Sequence, residues 1–178
     1  MIGVLASGEG TNLQALVDEG LPIAAVASNR AEAGALRRAE ARGIATAVFP
    51  LDAYESRDER DGAMADWLTS RGVDWVVLAG YMQLLTPAFL DRFPDRVINV
   101  HPALLPSFPG AHAIEDAPAA GVRETGATVH YVDEGVDTGP VLSQEPVPIE
   151  PRETLVERIH AVEHRLLPEV VEELCRAR

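Results

Sequence analysis

The sequence contains no lysine, so all 15 of its Lys and Arg residues are arginines. This absence excludes enzymes that form a Schiff base on lysine and phosphate-binding loops of the GK[ST] type, because both need the lysine amine. Cysteine is also nearly absent. The single Cys175 cannot form an intramolecular disulfide, which is consistent with a reducing compartment. A catalytic thiol is not expected, because Cys175 lies on a predicted helix near the C-terminus.

The chain has no apolar run long enough to span a bilayer, and its start lacks the charged-then-apolar pattern of a signal peptide. Acidic residues outnumber basic ones, giving a formal net charge of -13. Since sequence-independent nucleic-acid binding depends on basic patches, this balance argues against a nucleic-acid partner. It is compatible with a local site for an anionic small molecule. We therefore expect a cytoplasmic protein with small-molecule substrates and no membrane partner, and a homodimer is left open.

The 178 residues, 47% of them hydrophobic, suffice for one domain with a full-sized core. Short apolar runs alternate with helical patterns, which predicts an α/β fold. We expect a Rossmann-like, mostly parallel twisted sheet with helices on both faces and an antiparallel edge strand toward the C-terminus. The predicted strands are 2–6, 23–27, 45–49, 75–79, 96–100, 127–132 and 141–147, the last an edge strand because of its prolines. The predicted helices are 13–19, 33–42, 60–71, one starting at Thr86-Pro87, 111–120, and 152–176, the last broken or bent near Pro168.

A loop with two glycines, Ala6-Ser7-Gly8-Glu9-Gly10-Thr11-Asn12, joins the first predicted strand to the first helix. The glycines allow a tight turn, and the helix N-terminus that follows presents backbone amides. Together they form a candidate anion site that needs no lysine. The alternative is a plain strand-to-helix turn. The location favours a site, because ligands of open parallel sheets bind beyond the carboxyl ends of the strands.

Asn99 and His101 lie two residues apart at the end of a predicted strand, before the proline-rich loop 102–109. Residues two apart on an extended segment point to the same face. An amide and an imidazole in this arrangement can stabilise a developing oxyanion. The alternative for a single histidine is a structural role, and this is the role we expect for His130, within the apolar run 127–132.

A glycine-rich turn further along the chain offers three carboxylates, Asp133, Glu134 and Asp137. Acidic residues beside glycine are commonly solvated turn residues. A carboxylate near His101 would instead favour the imidazolium and serve as a proton-transfer partner. These residues by themselves leave the choice among the three acids open.

Four motifs in this order resemble those of one family: 7–14 (SGEGTNLQ), 80–85 (GYMQLL), 99–106 (NVHPALLP) and 137–140 (DTGP). The likeness covers nearly the whole chain. The sequence is similar to the phosphoribosylglycinamide formyltransferases, a branch of the folate-dependent formyltransferase family. The Asn-x-His-Pro segment and the later Asp are shared across that family, whereas the first motif is more specific to this branch.

The resemblance implies direct transfer of a formyl group from 10-formyltetrahydrofolate to the amine of glycinamide ribonucleotide through a tetrahedral adduct, without a metal. It implies that Asn99 and His101 hold the oxyanion and that Asp137 assists proton transfer and keeps His101 protonated. The implied substrate-binding residues are Gly8, Gly10, Thr11, Asn12, Pro102 and Glu163, with the backbone at 10–12 gripping the phosphate and Glu163 binding the ribose. The implied folate-binding residues are Met82, Gln83, Leu84, Leu85, Asn99, Val132, Asp133 and Glu134.

One departure from the family falls in the implied folate segment, where Gln83 stands at a position commonly occupied by arginine. The change is mild if backbone groups bind the pterin there, and it weakens folate binding if the side chain matters. We expect one domain over 1–178, with a nucleotide-binding half at about 1–95 and a folate-binding and catalytic half at about 96–178.

Two other functions are compatible with parts of the pattern. A 10-formyltetrahydrofolate hydrolase would use the same three residues with water as the nucleophile. Relatives with that activity typically carry an N-terminal regulatory domain, whereas here the first strand follows Met1 directly, which favours the transferase. A non-catalytic nucleotide-binding module would use only the glycine loop. It predicts that Asn99, His101 and Asp137 lie apart, whereas the enzyme predicts hydrogen-bonding reach.

Overall fold

The protein is described by a computed structural model over residues 1–177. Its seven strands form one mostly parallel sheet in the order β3-β2-β1-β4-β5-β6-β7, with the helices around it. The strands are β1 Ile2–Leu5, β2 Ile23–Ser28, β3 Ala45–Val48, β4 Trp75–Leu78, β5 Val97–His101, β6 Glu124–Tyr131 and β7 Val141–Pro148. The helices are α1 Thr11–Asp18, α2 Gly34–Glu40, α3 Arg57–Ser70, α4 Pro87–Leu90, α5 Ala113–Ala119 and α6 Leu155–Arg176. The predicted fold class is confirmed.

The chain divides into two compact units, Met1–Ile98 and the part from Asn99 onward. In the first unit, β1 pairs in parallel with both β2 and β4, and β2 pairs with β3. All four residues of β1 are buried, as expected for a strand covered on both faces. The chain winds from β1 toward β3 and then returns to the other side of β1 as β4. The switch point between β1 and β4 is where ligands of such sheets bind.

The second unit is built on an antiparallel pair, in which β6 and β7 pair from Glu124 opposite Pro148 to His130 opposite Val141, with a register shift between Val129 and His130. The end position of β7 in the sheet confirms the predicted edge strand, where prolines are tolerated. The core of the second unit includes a cluster of buried residues from α5, the end of β7 and the start of α6: Ala117, Val147, Ile149, Leu155 and Ile159.

The helix bounds differ from the predicted ones by up to three residues, and in α3 and α6 the physical reason for a difference is clear. Helix α3 begins at Arg57, three residues before the predicted start, because the Ser56 side chain caps it by accepting a hydrogen bond from Glu59 N at 3.1 Å. The sequence predicts a break or a bend near Pro168. Helix α6 runs unbroken from Leu155 to Arg176, so a break is wrong, whereas a bend stays a prediction. A buried face that includes Leu166, Leu167 and Pro168 itself holds the helix together, outweighing the loss of roughly 3 kcal/mol that an interior proline causes.

No helix within residues 1–177 combines the length and the apolar character needed to cross a membrane.

Candidate active site

Strand β5 carries two polar side chains into the second unit, Asn99 and His101. The two residues are two positions apart on the strand, so their side chains lie on the same face of it, as the sequence predicts. His101 is the last residue of β5, not the first residue after it, and it is 4% exposed. A buried imidazole needs hydrogen-bond partners, and the structure supplies them from two loops.

Asp137 is where these partners meet. Its Oδ2 atom accepts a hydrogen bond from Gly110 N at 2.8 Å and lies 3.3 Å from His101 Nδ1. Its Oδ1 atom accepts from Asn99 Nδ2 at 3.4 Å. The Asp137 carboxylate is therefore within hydrogen-bonding distance of both the Asn99 amide and the His101 imidazole, the arrangement that distinguishes the enzyme from a simple binding module.

The imidazole of His101 faces an acceptor at each nitrogen. Its Nε2–H donates to the carbonyl oxygen of Phe108 at 2.7 Å, and its Nδ1 faces the Asp137 carboxylate. A ring that carries both protons donates to both acceptors. This geometry fixes the orientation of the imidazole from two sides.

Asp137 is held as a carboxylate by its neighbours. Burial alone would raise its pKa, but the hydrogen bonds from His130 and Gly110 and the imidazole charges of His101 and His130 act in the other direction. The net result is a pKa below the usual value for an aspartate. Asp137 is thus ionised, and able to accept a proton, at neutral pH.

His130 joins this cluster, although the sequence indicated only a structural role for it. The side chain lies on β6 and is 2% exposed. Its Nδ1–H donates to the Tyr131 carbonyl at 2.8 Å, and its Nε2 lies 3.1 Å from Asn99 Nδ2 and 3.5 Å from Asp137 Oδ1. The neutral ring accepts from Asn99 at Nε2, whereas the protonated ring donates there to Asp137. His130 thereby contacts two candidate catalytic residues. Its place on the strand that leads into the acidic turn is a signal that could have suggested this.

Two residues of the cluster have a left-handed backbone that is rare outside glycine. Phe108 has φ of 54° and Asp137 has φ of 53°. Phe108 follows the Leu105–Pro106 peptide, which is cis, in the loop that follows β5. Such strained residues are found disproportionately at functional sites, because surrounding contacts must hold them. Here those contacts are the hydrogen bonds to His101 and Asp137 themselves.

The other two acids of the turn are placed differently from Asp137. Asp133 is exposed and closes the turn locally, accepting from Gly135 N at 3.0 Å and from Thr138 Oγ1 at 2.6 Å. Glu134 is exposed, and Val132 is half-buried beside it. The geometry thus separates Asp137, which contacts the imidazoles, from acids that face solvent.

In the first unit, the glycine loop links the ends of β1 and β4. Ser7 N donates to Gly80 O at 3.0 Å, and Ser7 Oγ accepts from Met82 N at 2.9 Å. Gly10 has φ of 77°, and a Cβ there would lie 2.6 Å from Ala35 Cα, so only glycine fits. Gly10 is the N-cap of the eight-residue helix α1, which starts at Thr11.

The segment 81–85 leaves β4 beside this loop. The Met82 and Leu84 side chains are 63% and 48% exposed, whereas Leu85 is buried and Gln83 is partly exposed. Two exposed apolar side chains on one short segment offer a surface on which a flat ring can stack.

Elsewhere, Pro102 follows β5 and is half-buried, and Glu163 is 4% exposed on α6. Within residues 1–177 no three His, Cys, Asp or Glu side chains group so as to hold a metal ion.

Comparisons with known proteins point in the same direction as this geometry. A model of the family described as formyl transferase matches residues 1–171. The phosphoribosylglycinamide formyltransferase of Mycobacterium tuberculosis is 45% identical over 172 residues, covering 92% of this chain and 80% of that protein. The trifunctional purine biosynthetic protein adenosine-3 of Drosophila pseudoobscura pseudoobscura is 43% identical over 178 residues, covering 94% of this chain but only 13% of that longer protein. The crystal structure of glycinamide ribonucleotide transformylase 1 from Symbiobacterium toebii has a TM-score of 0.96 at 45% identity, covering 99% of this chain and 88% of that one.

Proposed function

Because this chain belongs to the formyl transferase family, we propose that it transfers the formyl group of 10-formyltetrahydrofolate to the amine of glycinamide ribonucleotide in purine biosynthesis. The observation that carries the proposal is the cluster of Asn99, His101 and Asp137, in which two hydrogen-bond donors lie beside a proton-accepting carboxylate. Acyl transfer needs both functions.

The chemistry follows from the placement of these groups. The glycinamide nitrogen attacks the formyl carbon, and the carbonyl oxygen becomes an oxyanion. Asn99 Nδ2 and His101 Nε2 are the donors that would hold it, with the oxyanion replacing Phe108 O as acceptor at His101. Asp137 accepts the proton that the attacking amine loses, and that proton passes to N10 as the C–N10 bond breaks. Each atom transferred is thereby accounted for without a metal.

The ribonucleotide phosphate is assigned to the loop before α1. Gly8 and Gly10 shape this loop, and the backbone at Gly10, Thr11 and Asn12 lies at the helix N-terminus, which favours an anion. Glu163 is assigned to the ribose, where a buried carboxylate can accept hydroxyl hydrogen bonds, and Pro102 to contact with the same substrate.

The folate pterin is assigned to two segments. The exposed apolar side chains of Met82 and Leu84 suit a flat aromatic ring, with Gln83 and Leu85 in the same segment. Asn99 and the stretch Val132, Asp133 and Glu134 complete the assignment. The chain is proposed to be one formyltransferase domain over 1–178, with a nucleotide-binding half at about 1–95 and a folate-binding and catalytic half at about 96–178. We also propose a cytoplasmic location and, where chains associate, a homodimer.

One assay tests this function. The purified protein is given 10-formyltetrahydrofolate with and without glycinamide ribonucleotide, and loss of the formyl group is followed optically. Loss that depends on the ribonucleotide supports the transferase. Loss in its absence would instead indicate a hydrolase, and no loss under either condition would contradict both enzymes.

A further inference from the structure

Helix α3 contains a charged pair that is completely buried. Arg60 and Asp61 are both 0% exposed, and the guanidinium contacts Asp61 Oδ1 through Nε at 2.8 Å and Nη2 at 2.6 Å. Removing two charges from water is costly, and their attraction compensates only when further hydrogen bonds satisfy the remaining polar atoms. The pair therefore raises the question of what else it binds.

Its remaining contacts converge on the segment that follows β4. Arg60 Nη1 donates to Gln83 Oε1 at 3.1 Å, and Asp61 Oδ2 accepts from Thr86 N at 2.7 Å. A third contact comes from the first residue of the helix, where Arg57 Nη2 donates to Leu84 O at 2.8 Å. Helix α3 thus holds residues 83, 84 and 86 at three points, all of them beside the exposed Met82 and Leu84 side chains.

We propose that Arg60 is a positioning residue for folate binding, because its guanidinium orients the Gln83 side chain from α3. The inference rests on the proposed function, because it takes 81–85 to be the folate segment.

The physical effect is preorganisation of the segment. The Arg60 hydrogen bond fixes the Gln83 carboxamide in one orientation, and the Asp61 contact fixes the backbone at Thr86. A segment that is already held in its binding conformation loses less conformational entropy when the ligand binds. The two positions are therefore coupled. An arginine at 83 is compatible with a neutral residue at 60, but it would place a second guanidinium beside the one that Arg60 already contributes.

The coupling between positions 60 and 83 is tested with two single variants and their double variant. Affinity for tetrahydrofolate is measured by calorimetry for the wild type, Arg60→Gln, Gln83→Arg and the double variant Arg60→Gln/Gln83→Arg. We expect each single change to weaken binding about tenfold, the loss of roughly one ordered side-chain contact. The double variant should return to within about threefold of the wild type, because the two effects are coupled and not additive. In steady-state assays KM for the folate should rise while kcat and KM for the ribonucleotide stay within about twofold.

Arg71→Gln is the matched control, since Arg71 lies at the C-terminal end of α3, where it stacks over Trp67 at 5.5 Å. It should bind tetrahydrofolate as the wild type does. If Arg60→Gln does not fold, Gln83→Arg decides alone, because residue 83 is partly exposed and the change leaves the buried pair intact.

Unchanged or tighter binding by Gln83→Arg overturns the inference, as does a double variant whose loss is the sum of the single losses. A wild type that binds no tetrahydrofolate would overturn the proposed function itself. That outcome differs from a wild type that binds while the single variants bind equally well.

Discussion

Replacing Asp137 with asparagine tests the core of the proposed chemistry. The change keeps the size of the side chain but removes its charge and its ability to take a proton. The structure predicts a substantial effect, because Asp137 accepts from Gly110 N at 2.8 Å and faces His101 Nδ1 at 3.3 Å and Asn99 Nδ2 at 3.4 Å. General acid–base catalysis contributes about 10²–10⁴-fold. We expect a loss of about 10³-fold in kcat, or about 4 kcal/mol of transition-state stabilisation.

The assay is the initial rate of ribonucleotide-dependent formyl loss at saturating substrates. KM for glycinamide ribonucleotide should change less than about threefold, because the phosphate is assigned to backbone amides of the loop before α1. Asp116→Asn is the control, an exposed carboxylate in the first turn of α5. A rate for Asp137→Asn within about tenfold of the control would refute a proton-transfer role for Asp137.

Three further predictions follow from single residues. Gly10→Ala should destabilise the fold by about 2 kcal/mol or more and raise KM for the ribonucleotide. The reason is that Gly10 has φ of 77° and that a Cβ there would lie 2.6 Å from Ala35 Cα. The control Gly8→Ala, whose Cβ would meet nothing within 4 Å, should fold normally in thermal melts. Burial raises the pKa of Tyr81 to about 12, so an absorbance titration should show one late phenol step that Tyr81→Phe removes. Because the pKa of Asp137 is lowered in the folded state, its ionisation stabilises the fold at pH values above the ordinary pKa of 3.8. This stabilisation is lost as pH falls through the lower folded-state pKa. Between pH 5 and pH 3, urea unfolding should therefore show a smaller loss of stability for Asp137→Asn than for the wild type.

The sheet was predictable because its strands are short apolar runs separated by helical patterns and turn residues. The ends of elements were less so. The start of α3 depends on the Ser56 cap, and the continuity of α6 depends on packing around Pro168, which no local pattern reports. Local propensity favours a helix break at proline, whereas tertiary packing keeps α6 continuous through Pro168.

The cluster on β5 was partly predictable for a similar reason. Asn99 and His101 share a face by strand alternation alone, so their proximity follows from local sequence. The choice of Asp137 among three acids depends on long-range folding, as does the entry of His130 into the cluster. The buried Arg60–Asp61 pair was not foreseen, because a charged residue at a helix start is expected to face solvent.

In the proposed mechanism, a substrate must displace the Phe108 carbonyl oxygen before it can accept a hydrogen bond from His101 Nε2. The carbonyl oxygen already accepts a hydrogen bond from His101 Nε2 at 2.7 Å, so a bound formyl oxygen competes with an amide oxygen of comparable strength. A neutral formyl group gains little from the exchange, because one neutral acceptor replaces another. An oxyanion gains much more, since hydrogen bonds to charged acceptors are about twice as strong. In the proposed mechanism, displacement of the Phe108 carbonyl would thus be favourable only once negative charge has formed, so the hydrogen bond of His101 would stabilise the transition state more than the bound substrate.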